Sequence, residues 1–139
     1  MNKIIRWFLS AVFICLFLFS SCSKKKEQEK LVGSWDMVFL LASEQNKKVV
    51  WTFKDDNSLT FTDYRTDSTY IFNSTYLLTK EFPSTFYIDI TGIESGQDIN
   101  GRYQIIKLNK KILTIERVLL SSGTKPGAYL WKEFVRINQ

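Results

Sequence analysis

The sequence has no histidine, only two cysteines and only two prolines in 139 residues. Without imidazole there is no histidine general base, no Ser–His or Cys–His pair and no histidine metal ligand. Two thiols, Cys15 and Cys22, exclude a multi-disulfide framework and a cysteine-rich zinc site. No glycine-rich phosphate loop or nucleotide fingerprint is present. After residue 30 no capped segment places apolar residues at i, i+3, i+4 and i+7. The net charge of +5 is mild. Lys47-Lys48 and Lys110-Lys111 are the only basic pairs beyond residue 30, so the continuous basic stripe of a nucleic-acid surface is missing. The length fits one domain.

What is present begins with an address. Lys3 and Arg6 precede Phe8 to Phe19, a run interrupted only by Ser10. That run is shorter than the roughly 20 residues of a spanning helix and matches the apolar core of a secretory signal. Phe19-Ser20-Ser21-Cys22 follows. This order resembles the lipobox of bacterial lipoproteins, with Phe19 where the family usually has Leu. The resemblance implies cleavage after residue 21 and acylation of Cys22, a multiple-chain anchor of the kind firm attachment needs. The alternative is an uncleaved N-terminal anchor helix. Cleavage leaves Cys22–Gln139, removes Lys3, Arg6 and Cys15, and lowers the net charge to +3.

Residues 1–21 are therefore read as signal, 22–30 as lipidated cysteine and tether, and 31–139 as the folded domain. Ser23 to Lys30 has no apolar residue and is expected to stay solvated. Lys24-Lys25-Lys26 is either a solubilising spacer or a contact to anionic headgroups, at about 1 kcal/mol per charge. Ser23 stands where the lipoprotein resemblance would place an inner-membrane retention Asp. The implied location is the cell envelope, at the outer membrane, with the periplasmic face and the cell surface both open.

From Leu31 onward the apolar period is two. Trp35, Met37, Phe39 and Leu41 share one parity, and Val49, Trp51 and Phe53 repeat it. Leu59 and Phe61, Tyr70 and Phe72, Tyr76 and Leu78, Phe86 to Ile90, Tyr103 and Ile105, Leu113 and Ile115, and Tyr129 to Ile137 continue the pattern. Turn clusters at Asp55-Asp56-Asn57-Ser58, Thr66-Asp67-Ser68 and Asn109-Lys110-Lys111 separate them. Eight or nine short strands with one apolar face predict an all-β, antiparallel sheet that must close to hide that face and its edges. An up-and-down β-barrel does so. A two-sheet sandwich is the alternative.

Gly33-Ser34-Trp35, at the head of the first strand, resembles the Gly-x-Trp motif of lipocalins. The resemblance implies that an arginine of the last strand, Arg136, packs over the Trp35 ring, an interaction of roughly 0.5–2 kcal/mol. Gly33, Trp35 and Arg136 are thus expected to close the barrel. Thr66-Asp67-Ser68-Thr69-Tyr70 looks like the second lipocalin motif, but that motif lies late in the barrel, so it is read as an ordinary turn.

No catalytic constellation assembles, and binding rather than enzymatic work is expected. Asp55-Asp56 is a solvated turn pair. Glu94, Asp98 and Asn100 lack the dense spacing of a calcium loop, so neither metal nor cofactor is expected. Trp51, Phe53, Phe61, Tyr70, Phe72, Phe86, Ile88 and Tyr103 would either line an apolar ligand pocket or fill the barrel as plain core. Two functions follow. One is a monomeric barrel that binds a small hydrophobic ligand. The other is a filled barrel that binds an envelope protein through the Gly92–Gly101 and Ser121–Gly127 loops, with Trp131 as anchor or core.

Overall fold

A computed structural model describes residues 23–44, 46–93, 98–128 and 130–137. The signal segment and Cys22 lie outside the described residues, as do Glu94 and Tyr129.

Eight antiparallel strands close into one barrel in sequence order: β1 (Gly33–Val38), β2 (Lys48–Phe53), β3 (Ser58–Tyr64), β4 (Thr69–Glu81), β5 (Thr85–Thr91), β6 (Gly101–Leu108), β7 (Ile112–Leu120) and β8 (Leu130–Arg136). The up-and-down barrel is therefore the architecture, and the sandwich alternative falls. The ambiguity between eight and nine strands came from Asn73-Ser74, a polar step between two apolar pairs. Ser74 faces inward and its hydroxyl donates to the Leu59 carbonyl at 3.4 Å, so β4 runs through it unbroken.

Closure depends on β1 meeting β8, with Trp35 opposite Arg136 and Met37 opposite Phe134. Because side chains alternate, each strand sends one parity inward. Trp35, Trp51 and Phe61 are cross-strand partners in one interior row, continued by Phe72. Leu78, Ile88 and Tyr103 form a second. On the outside, hydrogen-bonding pairs span the strands: Ser34 with Thr52 at 3.0 Å, Thr60 with Asn73 at 3.2 Å, Thr75 with Thr91 at 3.2 Å.

The short turns are set by local chemistry. Asp56 accepts hydrogen bonds from the Ser58 amide at 2.8 Å and its hydroxyl at 2.6 Å, which also holds the Asp56 carboxyl below its usual range. Asn57 beside it takes φ 65°, a region Asn tolerates. Asn109 does the same work between β6 and β7, accepting from the amides of Lys111 and Ile112, each at 2.8 Å.

The two ends of the barrel differ. The turns β2–β3, β4–β5 and β6–β7 gather at one end, where the chain also enters β1 and leaves β8. The connections β1–β2, β3–β4, β5–β6 and β7–β8 gather at the other, the mouth.

Residues 23–30, expected as a solvated tether, are all exposed or partly exposed. Residues 23–31 are helical. They reach the closed end, where Lys80 Nζ donates to Ser23 Oγ at 2.9 Å and Gln28 Nε2 to Asn57 Oδ1 at 3.2 Å. The polar run has no apolar face of its own, but Leu31 is fully buried and supplies the anchor. The Leu31 carbonyl also accepts the Trp35 indole N–H at 2.8 Å. Burying such a leucine contributes about 1.5–3 kcal/mol towards docking the helix on the barrel.

Candidate functional site

The interior is packed through its centre. Trp51 is fully buried, with ring centroids of Phe134 at 5.1 Å, Tyr103 at 5.9 Å, Phe61 at 6.1 Å and Phe53 at 6.2 Å. Phe53 meets Tyr76 edge-on at 5.1 Å. Tilted and edge-on pairs of this kind are the favoured aromatic geometries. Burial pushes the phenols of Tyr103 and Tyr76 upward in pKa, and the Tyr103 hydroxyl is satisfied by the Ile99 carbonyl at 2.8 Å.

The eight residues expected to line a pocket or fill the core divide. Trp51, Phe53, Phe61, Ile88 and Tyr103 belong to the buried cluster, and Phe72 and Phe86 pack against it from partly exposed positions. Tyr70 has the inward parity of β4 but lies beyond the packed interior. It is 43% exposed near the start of β4, with the Arg65 guanidinium 4.5 Å from its ring.

Gly33, Trp35 and Arg136 come together at the closed end. The Arg136 guanidinium lies 4.1 Å from the Trp35 ring and donates to the Val32 carbonyl at 2.9 Å and to the Lys30 carbonyl. Gly33 adopts φ 134°, and a Cβ there would collide with Arg136 Nη1. Glycine is needed at this point because the guanidinium passes directly over the backbone.

Space remains at the mouth. A cleft of about 650 Å³ opens between the β1–β2 connection, the β3–β4 hairpin and β8. Its apolar wall is Met37, Phe39, Val49, Phe61 and Ile99. Lys47, Asp63, Arg65 and Lys132 are its charged members. Of the eight residues named from the sequence, only Phe61 borders it. The alternation did hold the signal for Lys132, since Phe134 and Arg136 share its parity. Its large aromatic neighbour Trp131, expected as anchor or core, faces outward, 55% exposed.

The β5–β6 connection, expected as a polar loop, tucks part of itself into the mouth. Ile93 and Ile99 are buried. Arg117, only 5% exposed, pins the loop by donating to both Asp98 carboxylate oxygens at 2.8 and 3.1 Å, to the Asp98 carbonyl at 2.8 Å, and to the Asn100 carbonyl. The Arg117 guanidinium holds the Asp98 carboxyl below its usual range. Asn100 is engaged with both backbone groups of Ile93, at 2.9 and 3.1 Å. Asp98 and Asn100 thus serve loop structure. Among the described residues, no group of three or more acidic, Cys or His side chains converges as a metal site would require.

Lys132 stands apart chemically. It lies one inward position above buried Phe134, half-buried, opposite Ile115 on β7. Burial first, and the charge of Arg117 second, lower its ammonium pKa from the ordinary 10.5.

No protein-family model and no curated protein matches this sequence.

Proposed function

We propose that the protein is a lipid-anchored, lipocalin-like barrel of the cell envelope that binds a small apolar ligand at its mouth. The observation that supports this is the cleft of about 650 Å³, with an apolar wall over a filled core and a few polar groups at its margin. Ligand sites are commonly concave, mostly apolar and of about 300–1,000 Å³. The binding surface in this reading is Met37, Phe39, Val49, Phe61 and Ile99 rather than the deep aromatic cluster.

The proposed anchor fits the same picture. Cys22 directly precedes helical residues 23–31, whose Ser23 meets Lys80 at the closed end. Acylation at Cys22 would set that end toward the membrane and leave the mouth facing away. The lipid-bearing chain is expected in the membrane fraction with a diacyl or triacyl mass on Cys22. Cys22→Ser is expected to release the protein, and an intact Met1 terminus in mass spectrometry would overturn the anchor.

The ligand reading is tested with 1-aminoanthracene, a neutral probe that brightens in apolar surroundings. The full-length protein in lipid nanodiscs should show saturable one-to-one binding above empty nanodiscs. Val49→Trp, which fills the cleft, should abolish it. No saturable signal would set the reading aside.

A second reading, docking of another envelope protein, draws on Leu40 and Leu41, which are 82% and 63% exposed on the β1–β2 connection. Crosslinking from position 41 in intact cells should then capture one specific envelope protein at native expression. Diffuse labelling would count against it.

A further inference from the structure

Strands β7 and β8 turn three basic side chains inward: Arg117, Lys132 and Arg136. Two are committed to the fold. Arg117 is held by Asp98 and the Asn100 carbonyl, and Arg136 by the Trp35 ring and the carbonyls of Val32 and Lys30. Lys132 is different. Its Nζ makes no hydrogen bond or ion pair among the described residues.

The other charges lining the cleft are also committed. Asp63 binds Arg65 at 3.0 Å, and Lys47 binds Glu44 at 2.9 Å. The lining therefore carries one acid against three bases, and the one charge without a partner among the described residues is positive. A half-buried ammonium without a partner is costly to the folded state. An anion entering the cleft would remove that cost, and the surplus of positive charge favours its entry.

We propose that the cleft takes an amphiphilic monocarboxylate, with its apolar body along Met37, Phe39, Val49 and Phe61 and its carboxylate on Lys132 Nζ. This rests on the small-ligand reading above and names the class of ligand. One free ammonium matches a monoanion. A dianionic phosphate head would keep a second charge unpaired, because Arg65, Lys47 and Arg117 already have partners. Lysine acts here as a point charge, so the head needs charge and reach rather than a fixed fork geometry.

The test uses a matched series, decanoate, decanol and decyltrimethylammonium, titrated calorimetrically into full-length protein in nanodiscs with empty nanodiscs as blank. Decanoate is expected to bind about tenfold or more tightly than decanol, the scale of a hydrogen bond to a charged group. The trimethylammonium compound is expected to be weakest. Lys132→Met should erase the preference for decanoate while decanol affinity stays, which also shows that the variant is folded. Lys132→Arg should keep the preference. Equal affinity for decanoate and decanol, or a preference that survives Lys132→Met, would overturn the carboxylate assignment and leave the small-ligand reading standing. Binding of none of the three would overturn both.

Discussion

The closed end and the mouth are built from the same eight strands, yet they spend inward side chains differently. At the closed end the inward groups are tied to one another. Arg136 lies on Trp35, the Trp35 indole donates to the Leu31 carbonyl, and the Leu31 side chain is fully buried. At the mouth the rows run out. Phe39 is only partly buried, Leu40 and Leu41 are exposed, and Lys132 has no partner among the described residues. The difference teaches that a small barrel need not choose between filled and hollow. Aromatic residues fill the centre, and the strand ends beyond them leave a cleft.

The largest contrast should come from truncating one aromatic in each region. Trp51→Ala removes the ring at the centre of four aromatic contacts and should cost about 3–5 kcal/mol in urea unfolding. Phe39→Ala, half-buried at the mouth, should cost less than about 1 kcal/mol while weakening ligand binding. Equal costs at the two sites would erase the distinction between filled centre and open mouth.

Next in size is the closing contact. Arg136→Met loses the stacking on Trp35 and the bonds to two carbonyls, and should cost about 2 kcal/mol. Gly33→Ala should cost about 1–3 kcal/mol through its positive φ and the collision with the guanidinium. A thermal melt of each variant checks this, and Gly33→Ala combined with Arg136→Met should cost less than the sum. Full additivity would mean that the two residues do not share the contact.

A smaller effect is expected at the loop that narrows the mouth. The Asp98 carboxyl lies below its usual 3.8 because Arg117 bonds it. A carboxyl depressed on folding contributes stability that is complete above the unfolded value and disappears as pH falls through the folded one. The pair should therefore be intact above about pH 4 and lost in stronger acid. The exposed Asp98 side makes the contribution less than about 1 kcal/mol. NMR signals of residues 98–101 should shift in acid before those of β1 and β2, and Asp98→Asn should remove that step.

The smallest and most diagnostic change is in Lys132. Because Lys132 has no partner among the described residues, Lys132→Met should leave stability unchanged or raise it by up to about 1 kcal/mol. A clear loss of stability would show that Lys132 serves the fold as Arg117 and Arg136 do.

Much of this architecture was legible in the residues. Alternation placed the strands, Asp56 and Asn109 marked their turns, and Gly33-Ser34-Trp35 pointed to Arg136 across the barrel. Other features were hidden. The helix of residues 23–31 has a polar sequence, and its one buried residue, Leu31, read as the start of a strand. β4 crosses a polar step because Ser74 finds the Leu59 carbonyl, a partner 15 residues away. The β5–β6 loop read as polar, yet Arg117 draws Ile93 and Ile99 inside by binding Asp98 from 19 residues away.

The sequence by itself determined an all-β chain and which parity of each strand turns inward, because both follow from a period of two that neighbouring residues set. Only the tertiary structure decided which inward basic side chains have partners and where the packing leaves space. Those depend on residues brought together across the barrel, such as Arg136 and Val32, 104 positions apart. No local spacing carries that information, since it exists only once the sheet has closed.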